Sequence, residues 1–106
     1  MDESMVMVCM QIITNTGSAK SSYIEAIQKA KKGDLGGAEI SMNEGDDLYA
    51  QAHEVNTSLI QKEASGEKTE FSLIMMNAED QMASTEMAKV MAREFIELYR
   101  EIKESR

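Results

Sequence analysis

The sequence predicts an all-α protein that folds as an antiparallel three-helix bundle. The 106 residues contain no proline and only 5% aromatic side chains, and Ala, Met, Glu, Lys, Gln and Leu dominate. These residue types favour helices over strands. Apolar residues recur every three or four positions, which is the period of one helix face. Two short polar segments divide the pattern into three helices, and short connections place consecutive helices antiparallel.

The first helix is predicted from Ser4 to Lys32. Its basic end complements the helix dipole, Gly33 can adopt the left-handed turn, and Asp34 can cap the next helix. The apolar face consists of Met5, Val8, Cys9, Ile12, Thr16, Ala19, Tyr23, Ala26, Ile27 and Ala30.

The second helix is predicted from Leu35 to about Ala64. Gly36, Gly37 and Gly45 weaken the signal, because glycine inside a helix costs about 1 kcal/mol relative to alanine. The expected inner residues are Met42, Tyr49, Ala52, Val55, Leu59 and Ile60.

The third helix follows the polar segment 65–69 and is predicted to be about 50 Å long at ~1.5 Å per residue. Its apolar positions are Phe71, Ile74, Met75, Ala78, Met82, Thr85, Ala88, Met91, Ala92, Phe95, Leu98, Tyr99 and Ile102. A further apolar flank remains on the first and third helices, formed by Val6, Met10, Ile13, Gly17, Ile24, Leu73, Met76 and Met87. Because large exposed apolar patches usually mark interfaces, we expect the chain to self-associate.

Composition narrows the possible functions. The length fits one domain spanning 1–106. Eleven basic and nineteen acidic side chains give a net charge of −8, which argues against nucleic acid as a partner. Cys9 is the single cysteine and is interpreted as a small buried hydrophobe, which favours a reducing, cytoplasmic location. No apolar run reaches the ~18 residues of a membrane span, so neither membrane insertion nor a signal peptide is expected.

One polar cluster interrupts the apolar pattern of the third helix. Asn77, Asp80 and Gln81 are spaced i, i+3 and i+4 and therefore share one helix face. Side chains placed in this way can meet a ligand, an ion or a neighbouring chain together. We take these three residues as the candidate functional site.

Four segments together follow the pattern of one family. They are 12–21 (IITNTGSAKS), 32–34 (KGD), 52–60 (AHEVNTSLI) and 76–82 (MNAEDQM). In order and spacing they resemble the lactose/cellobiose-type enzyme IIA of the phosphoenolpyruvate-dependent sugar phosphotransferase system (PTS), whose signature at the fourth segment is His-x-x-Asp-His-Leu-Met. The resemblance extends over essentially the whole chain.

The resemblance implies a cytoplasmic homotrimer that carries a phosphoryl group from HPr to enzyme IIB during sugar uptake. It also implies that Asp80 lies near the threefold axis, where three copies bind a divalent cation, usually magnesium. Three clustered carboxylates repel one another, and an oxygen-preferring cation removes that penalty. A ring of carboxylates that share protons or bridge through water is the alternative for Asp80.

The sequence departs from the family signature at the reacting position. The family's phosphoacceptor histidine aligns with Asn77, and the second histidine of the signature aligns with Gln81. A carboxamide nitrogen is a very poor nucleophile because its lone pair is delocalised into the carbonyl. We therefore expect a fold and partner surface that are retained and an acceptor that is inactive. The remaining histidine, His53, is interpreted as a packed, hydrogen-bonded imidazole.

Three functional hypotheses follow from these residues. The first is a phosphoryl-carrier subunit for a lactose/cellobiose-type disaccharide that is disabled at Asn77. The second is a silent paralogue, or regulatory binding module, that docks HPr or enzyme IIB without chemistry. The third is a plain oligomeric bundle, which Asp80 disfavours because an inert apolar interface has no need of a carboxylate.

Overall fold

The chain forms three long helices in an up-down-up bundle, with α1 at Glu3–Lys31, α2 at Leu35–Ala64 and α3 at Leu73–Glu104. This computed structural model describes residues 3–66 and 72–105. The prediction of an all-α three-helix bundle is confirmed, and the predicted bounds of α2 are met at both ends. The apolar position Phe71 and the polar residues 67–69 lie outside the described residues.

The connection between α1 and α2 is formed as the sequence predicts. Gly33 has a φ of +90°, the left-handed conformation that glycine adopts without strain. Asp34 accepts a hydrogen bond at Oδ1 from the backbone N–H of Gly37 at 2.9 Å, which caps the start of α2. Lys103 near the end of α3 donates to the carbonyl oxygen of Gly33 at 2.8 Å. The hinge is therefore fixed by its own backbone and by the third helix.

The start of α3 is also capped. Ser72 has an extended backbone, and its side chain accepts a hydrogen bond from the N–H of Met75 at 3.3 Å. Such a cap satisfies one of the N–H groups that the first helical turn leaves without a partner. This cap places the start of α3 four residues before Asn77.

The α1 helix packs against both other helices along its length, whereas α2 and α3 meet much more sparsely. Two core clusters result. One lies at the hinge end and comprises Ala19, Tyr23, Ala26, Ala30, Ala38, Met42, Ala92 and Ile96. The other lies at the opposite end and comprises Met5, Cys9, Ile12, Ala52, Leu59, Ala78 and Met82. Within the part of the chain that the structure describes, no helix is apolar enough over a sufficient length to cross a membrane.

The predicted core is correct for α1 but not throughout α2 and α3. Ile96 is fully buried although the periodic pattern did not include it. Five residues predicted to face inward are instead substantially exposed in the single chain, namely Ile60, Met91, Phe95, Leu98 and Ile102. On α3 the pattern followed a second apolar stripe, which lies on the outward side of the helix.

The outward side of α3 remains uncovered by the chain itself. Leu73, Met76 and Met87 are 84%, 48% and 60% exposed. Together with Met91 and Leu98 they form a stripe at helical spacing, which we call the outward α3 face. Met10 and Ile24 on α1 are also about half exposed, as the second apolar flank predicts. These exposed surfaces support the prediction of self-association.

Candidate functional site

The three candidate residues lie on the second and third turns of α3, close to its capped start. Asn77 and Asp80 are exposed in the single chain, and Gln81 is half-buried. The Gln81 Nε2 donates to Oδ1 of Asn77, with a long separation of 3.5 Å. The structure thus brings the two carboxamides together, as their i, i+4 spacing predicts.

Lys20 on α1 extends this pair, and sequence reasoning did not identify it as a site residue. Its Nζ lies 3.0 Å from Oε1 of Gln81. An ammonium group can only donate hydrogen bonds, so the carbonyl end of Gln81 must face Lys20 and its NH₂ end must face Asn77. Lys20 falls inside segment 12–21, but the two partners are 61 residues apart and nothing in the sequence fixes how α1 and α3 are aligned.

Asp80 takes no part in the hydrogen bond of this pair, and its helical spacing from Met76 and Met87 places it along the outward α3 face. It borders a shallow depression with Ile60, Glu63, Met75, Met76 and Glu79. Within residues 3–66 and 72–105, no three His, Cys, Asp or Glu side chains are grouped closely enough to hold a metal ion. A single chain therefore brings no set of metal ligands together here, and a cation site at Asp80 would require further copies of the chain.

His53 is exposed on α2, so the prediction of a packed, hydrogen-bonded imidazole is wrong. Its ring centroid lies 6.2 Å from that of Tyr49 in a tilted arrangement. The neighbouring Ala52 is the residue that fills the core at this level. Helical spacing places only one of two adjacent residues inward, and here it selects the alanine.

A cleft of about 380 Å³ separates α2 from α3 beside His53. Its walls include Tyr49, Asn56, Glu79 and Glu86. Asn56 is only 8% exposed, and its Oδ1 has no hydrogen-bond partner among the described residues. A buried carbonyl oxygen without a donor is destabilising, so this side chain is a weak point in the packing of α2 against α3.

Cys9 is fully buried in the second core cluster, as predicted. Burial, and to a lesser extent the charge of Glu79, raises the pKa of its thiol. A thiol that is both inaccessible and protonated is a poor nucleophile. The geometry therefore assigns Cys9 to packing.

Comparison with known proteins identifies the family to which this arrangement belongs. Residues 7–100 match the family model described as "PTS system, Lactose/Cellobiose specific IIA subunit". The chain belongs to this family. The match includes most of α1 and α3, all of α2 and the candidate site, so the family predicted from four short segments is confirmed.

Curated relatives of this IIA chain carry several sugar names. The lichenan-specific phosphotransferase enzyme IIA component of Bacillus subtilis (strain 168) is 42% identical over 106 residues, covering 100% of this chain and 96% of the relative. The lactose-specific EIIA component of Staphylococcus aureus (strain N315) is 32% identical over 98 residues, covering 92% and 95% of the two chains. The similarity therefore extends over nearly the full length of each relative.

Solved IIA structures have the same fold. The PTS cellobiose-specific enzyme IIA from Bacillus anthracis superimposes with a TM-score of 0.92 at 37% identity, covering 97% of this chain and 94% of that one. The IIA(Chitobiose) subunit of Escherichia coli, solved in complex with HPr, gives a TM-score of 0.80 at 32% identity, covering 92% and 94%. The bundle is thus the family fold.

Proposed function

We propose that this chain is a cytoplasmic phosphoryl-carrier subunit, enzyme IIA, of a sugar phosphotransferase system that is disabled only at its acceptor position: it docks HPr and enzyme IIB but accepts no phosphoryl group at Asn77. The observation that carries the proposal is the exposure of Asn77 on α3, at the position where the resemblance places the acceptor histidine. The family match over residues 7–100 identifies the chain as a PTS IIA subunit. The sugar class is that of the family, a lactose/cellobiose-type disaccharide.

The chemistry of the side chain explains why transfer stops at this position. Phosphoryl transfer to an acceptor needs a nucleophile with an available lone pair, which neutral imidazole has at neutral pH. The Asn77 carboxamide lacks such a nitrogen but keeps a similar polar character, since it both donates and accepts hydrogen bonds. The chain therefore retains a partner surface without a reactive atom at its centre.

Support for docking comes from the solved relatives. The E. coli IIA(Chitobiose) subunit, which shares this fold at 32% identity, was solved bound to HPr. The exposure of Asn77 leaves the corresponding part of α3 accessible in the single chain. HPr is thus the partner that the fold favours, and enzyme IIB follows from the family role.

The proposal includes assembly as a homotrimer through the outward α3 face. This face is largely apolar, with Asp80 between Met76 and Met87, and its other polar residues are Ser84 and Glu94. If three copies meet here, three carboxylates converge, and a divalent cation such as magnesium offsets their repulsion. The donor chemistry fits, because carboxylate oxygens are the ligands that magnesium prefers, and one chain alone lacks enough of them.

The decisive experiment restores the acceptor. The Asn77→His variant, incubated with phospho-HPr, is expected to gain the mass of one phosphoryl group, whereas the unmodified chain gains none. Asn77→Gln is the matched control, because it changes the side chain without adding a nucleophile. A phosphorylated unmodified chain, or an Asn77→His variant that never gains mass, would count against the proposal.

A second candidate function is the silent paralogue or regulatory binding module. It is favoured by Gln81, where the family's second histidine is also absent and the side chain instead bonds to both Lys20 and Asn77. Under this hypothesis HPr binds the unmodified chain, but Asn77→His alone does not restore transfer. Titration of isotopically labelled chain with HPr, followed by NMR, tests binding directly, and unchanged spectra would remove this candidate.

A further inference from the structure

We propose that Lys20, Gln81 and Asn77 together form a noncovalent recognition site for the phosphoryl group carried by a docked partner. The inference rests on the proposed function and makes it more specific. It predicts that the chain binds phosphorylated HPr in preference to unphosphorylated HPr, although the phosphoryl group stays on HPr.

The first argument is the direction of the hydrogen bonds. Lys20 donates to Gln81 at 3.0 Å, and Gln81 donates in turn to the Oδ1 of Asn77 at 3.5 Å. We call these three hydrogen-bonded side chains the row. In each carboxamide of the row, the carbonyl oxygen accepts from the preceding side chain, which leaves the NH₂ group on the side away from Lys20. The NH₂ of Asn77 is the last member, and it belongs to an exposed side chain and carries two N–H donors.

The second argument is charge. Lys20 is half-buried, and its ammonium group is held 3.0 Å from Oε1 of Gln81. Its other two N–H groups are donors as well. Asp80 lies one turn from Asn77 at i, i+3, so its carboxylate is a nearby opposing charge, but it makes none of the hydrogen bonds that join Lys20, Gln81 and Asn77. The row therefore presents donors and one positive charge to an approaching group.

The third argument is chemical complementarity. A phosphoryl group has three strong acceptor oxygens and a negative charge, and it binds best to N–H donors and cations. The row provides this combination within one α1–α3 contact. No bond to phosphorus forms or breaks, because the amide nitrogen has no available lone pair, so the phosphoryl group remains on the partner.

The test compares the two states of HPr. Labelled chain is titrated with HPr, with phospho-HPr and with inorganic phosphate, while the side-chain NH₂ signals of Asn77 and Gln81 are followed by NMR. We expect both signals to move with phospho-HPr, which should bind roughly tenfold more tightly than HPr, the difference that one charge-assisted hydrogen bond produces. Inorganic phosphate should move the same signals more weakly.

Variants of Lys20 test whether the row of Lys20, Gln81 and Asn77 causes the preference for phospho-HPr. Lys20→Met removes the charge but keeps the length, and it should abolish the roughly tenfold preference for phospho-HPr that one such bond produces. Lys20→Arg should retain the preference. Lys89→Met is the matched control, since Lys89 is a half-buried lysine paired with Asp46 at 3.1 Å. It lies about 18 Å from Asn77 along α3, at ~1.5 Å per residue.

Each outcome is informative. Equal binding of both HPr states, or stationary NH₂ signals in the unmodified chain, overturns the site and leaves the docking function intact. Failure of either HPr state to bind overturns the proposed function itself. If Lys20→Met weakens both states equally while thermal unfolding shows an intact fold, Lys20 is structural and the site is wrong. If that variant does not fold, the NH₂ signals of the unmodified chain decide the question.

Discussion

The ring of Tyr23 on α1 occupies the space that a side chain on Gly45 of α2 would need. A Cβ at Gly45 would lie 2.6 Å from Cε1 of the tyrosine, closer than real contacts allow. Tyr23 is fully buried, and its hydroxyl donates to Oδ1 of Asp46 at 2.8 Å, so the ring is held in place. Gly45 weakened the sequence signal for α2, yet it allows the two helices to approach.

Gly45→Ala is therefore expected to lower the free energy of unfolding. Overpacking a filled core costs about 1–3 kcal/mol, and the better helix propensity of alanine offsets at most about 1 kcal/mol. Gly36→Ala is the matched control, because Gly36 is exposed on the same helix with nothing within 4 Å of its Cβ position. Urea denaturation measures both, and equal stabilities of the two variants would contradict the close contact.

Asn56→Leu is expected to raise the free energy of unfolding by about 1 kcal/mol. The substitution replaces a buried carboxamide with an unpaired Oδ1 by an apolar side chain of similar size. Asn43→Leu, at an exposed position on α2, should stay within about 0.5 kcal/mol of the original chain. A clear loss of stability in the Asn56 variant would show that the amide has a partner in solution.

If the chain forms the proposed trimer, Asp80→Leu is expected to leave that assembly intact or make it tighter, because the change removes the three carboxylates that the proposal places together. Removal of divalent cations with a chelator should loosen the trimer of the unmodified chain but have no effect on the variant. Light scattering measures the mass in each case, with Asp47→Leu as the control at an exposed α2 position. A monomeric Asp80→Leu variant would exclude the placement of this residue near the axis.

Alkaline pH should destabilise the fold partly through Tyr23. Burial raises the pKa of its phenol, and the hydrogen bond to Asp46 adds to the effect. The folded state thus favours the neutral phenol, so this contribution to stability is complete below the ordinary pKa of 10.0 and is lost as the pH rises beyond it. Denaturation curves measured from neutral to alkaline pH should show this decline in the original chain and a smaller one in Tyr23→Phe.

The helices were predictable because their ends are determined locally. Gly33 and Asp34 mark the first hinge by backbone chemistry alone, and they place the start of α2 at Leu35 in both sequence and structure. The inner face of α3 was less predictable. Its two apolar stripes have the same period, so periodicity alone does not show that Ile96 packs within the chain while Leu98 faces outward.

The candidate site, too, was only partly predictable from the sequence. The proximity of Asn77 and Gln81 follows from their i, i+4 spacing and was predicted from the sequence. The contribution of Lys20 was not, because it depends on how α1 and α3 are aligned across 61 residues. A local rule predicts contacts within one helix, whereas contacts between helices depend on the packing of the whole core.

The central position of α1 has a consequence for the order in which the molecule folds. The short hinge lets α1 and α2 form a hairpin at little cost in loop-closure entropy, whereas α3 must close a much longer loop to dock on α1. Since α2 and α3 hardly support each other, α3 should detach first in partial opening, and its backbone amides should exchange with solvent before those of α1. The helix that carries the candidate site is thus the one whose docking is the least cooperative part of the fold.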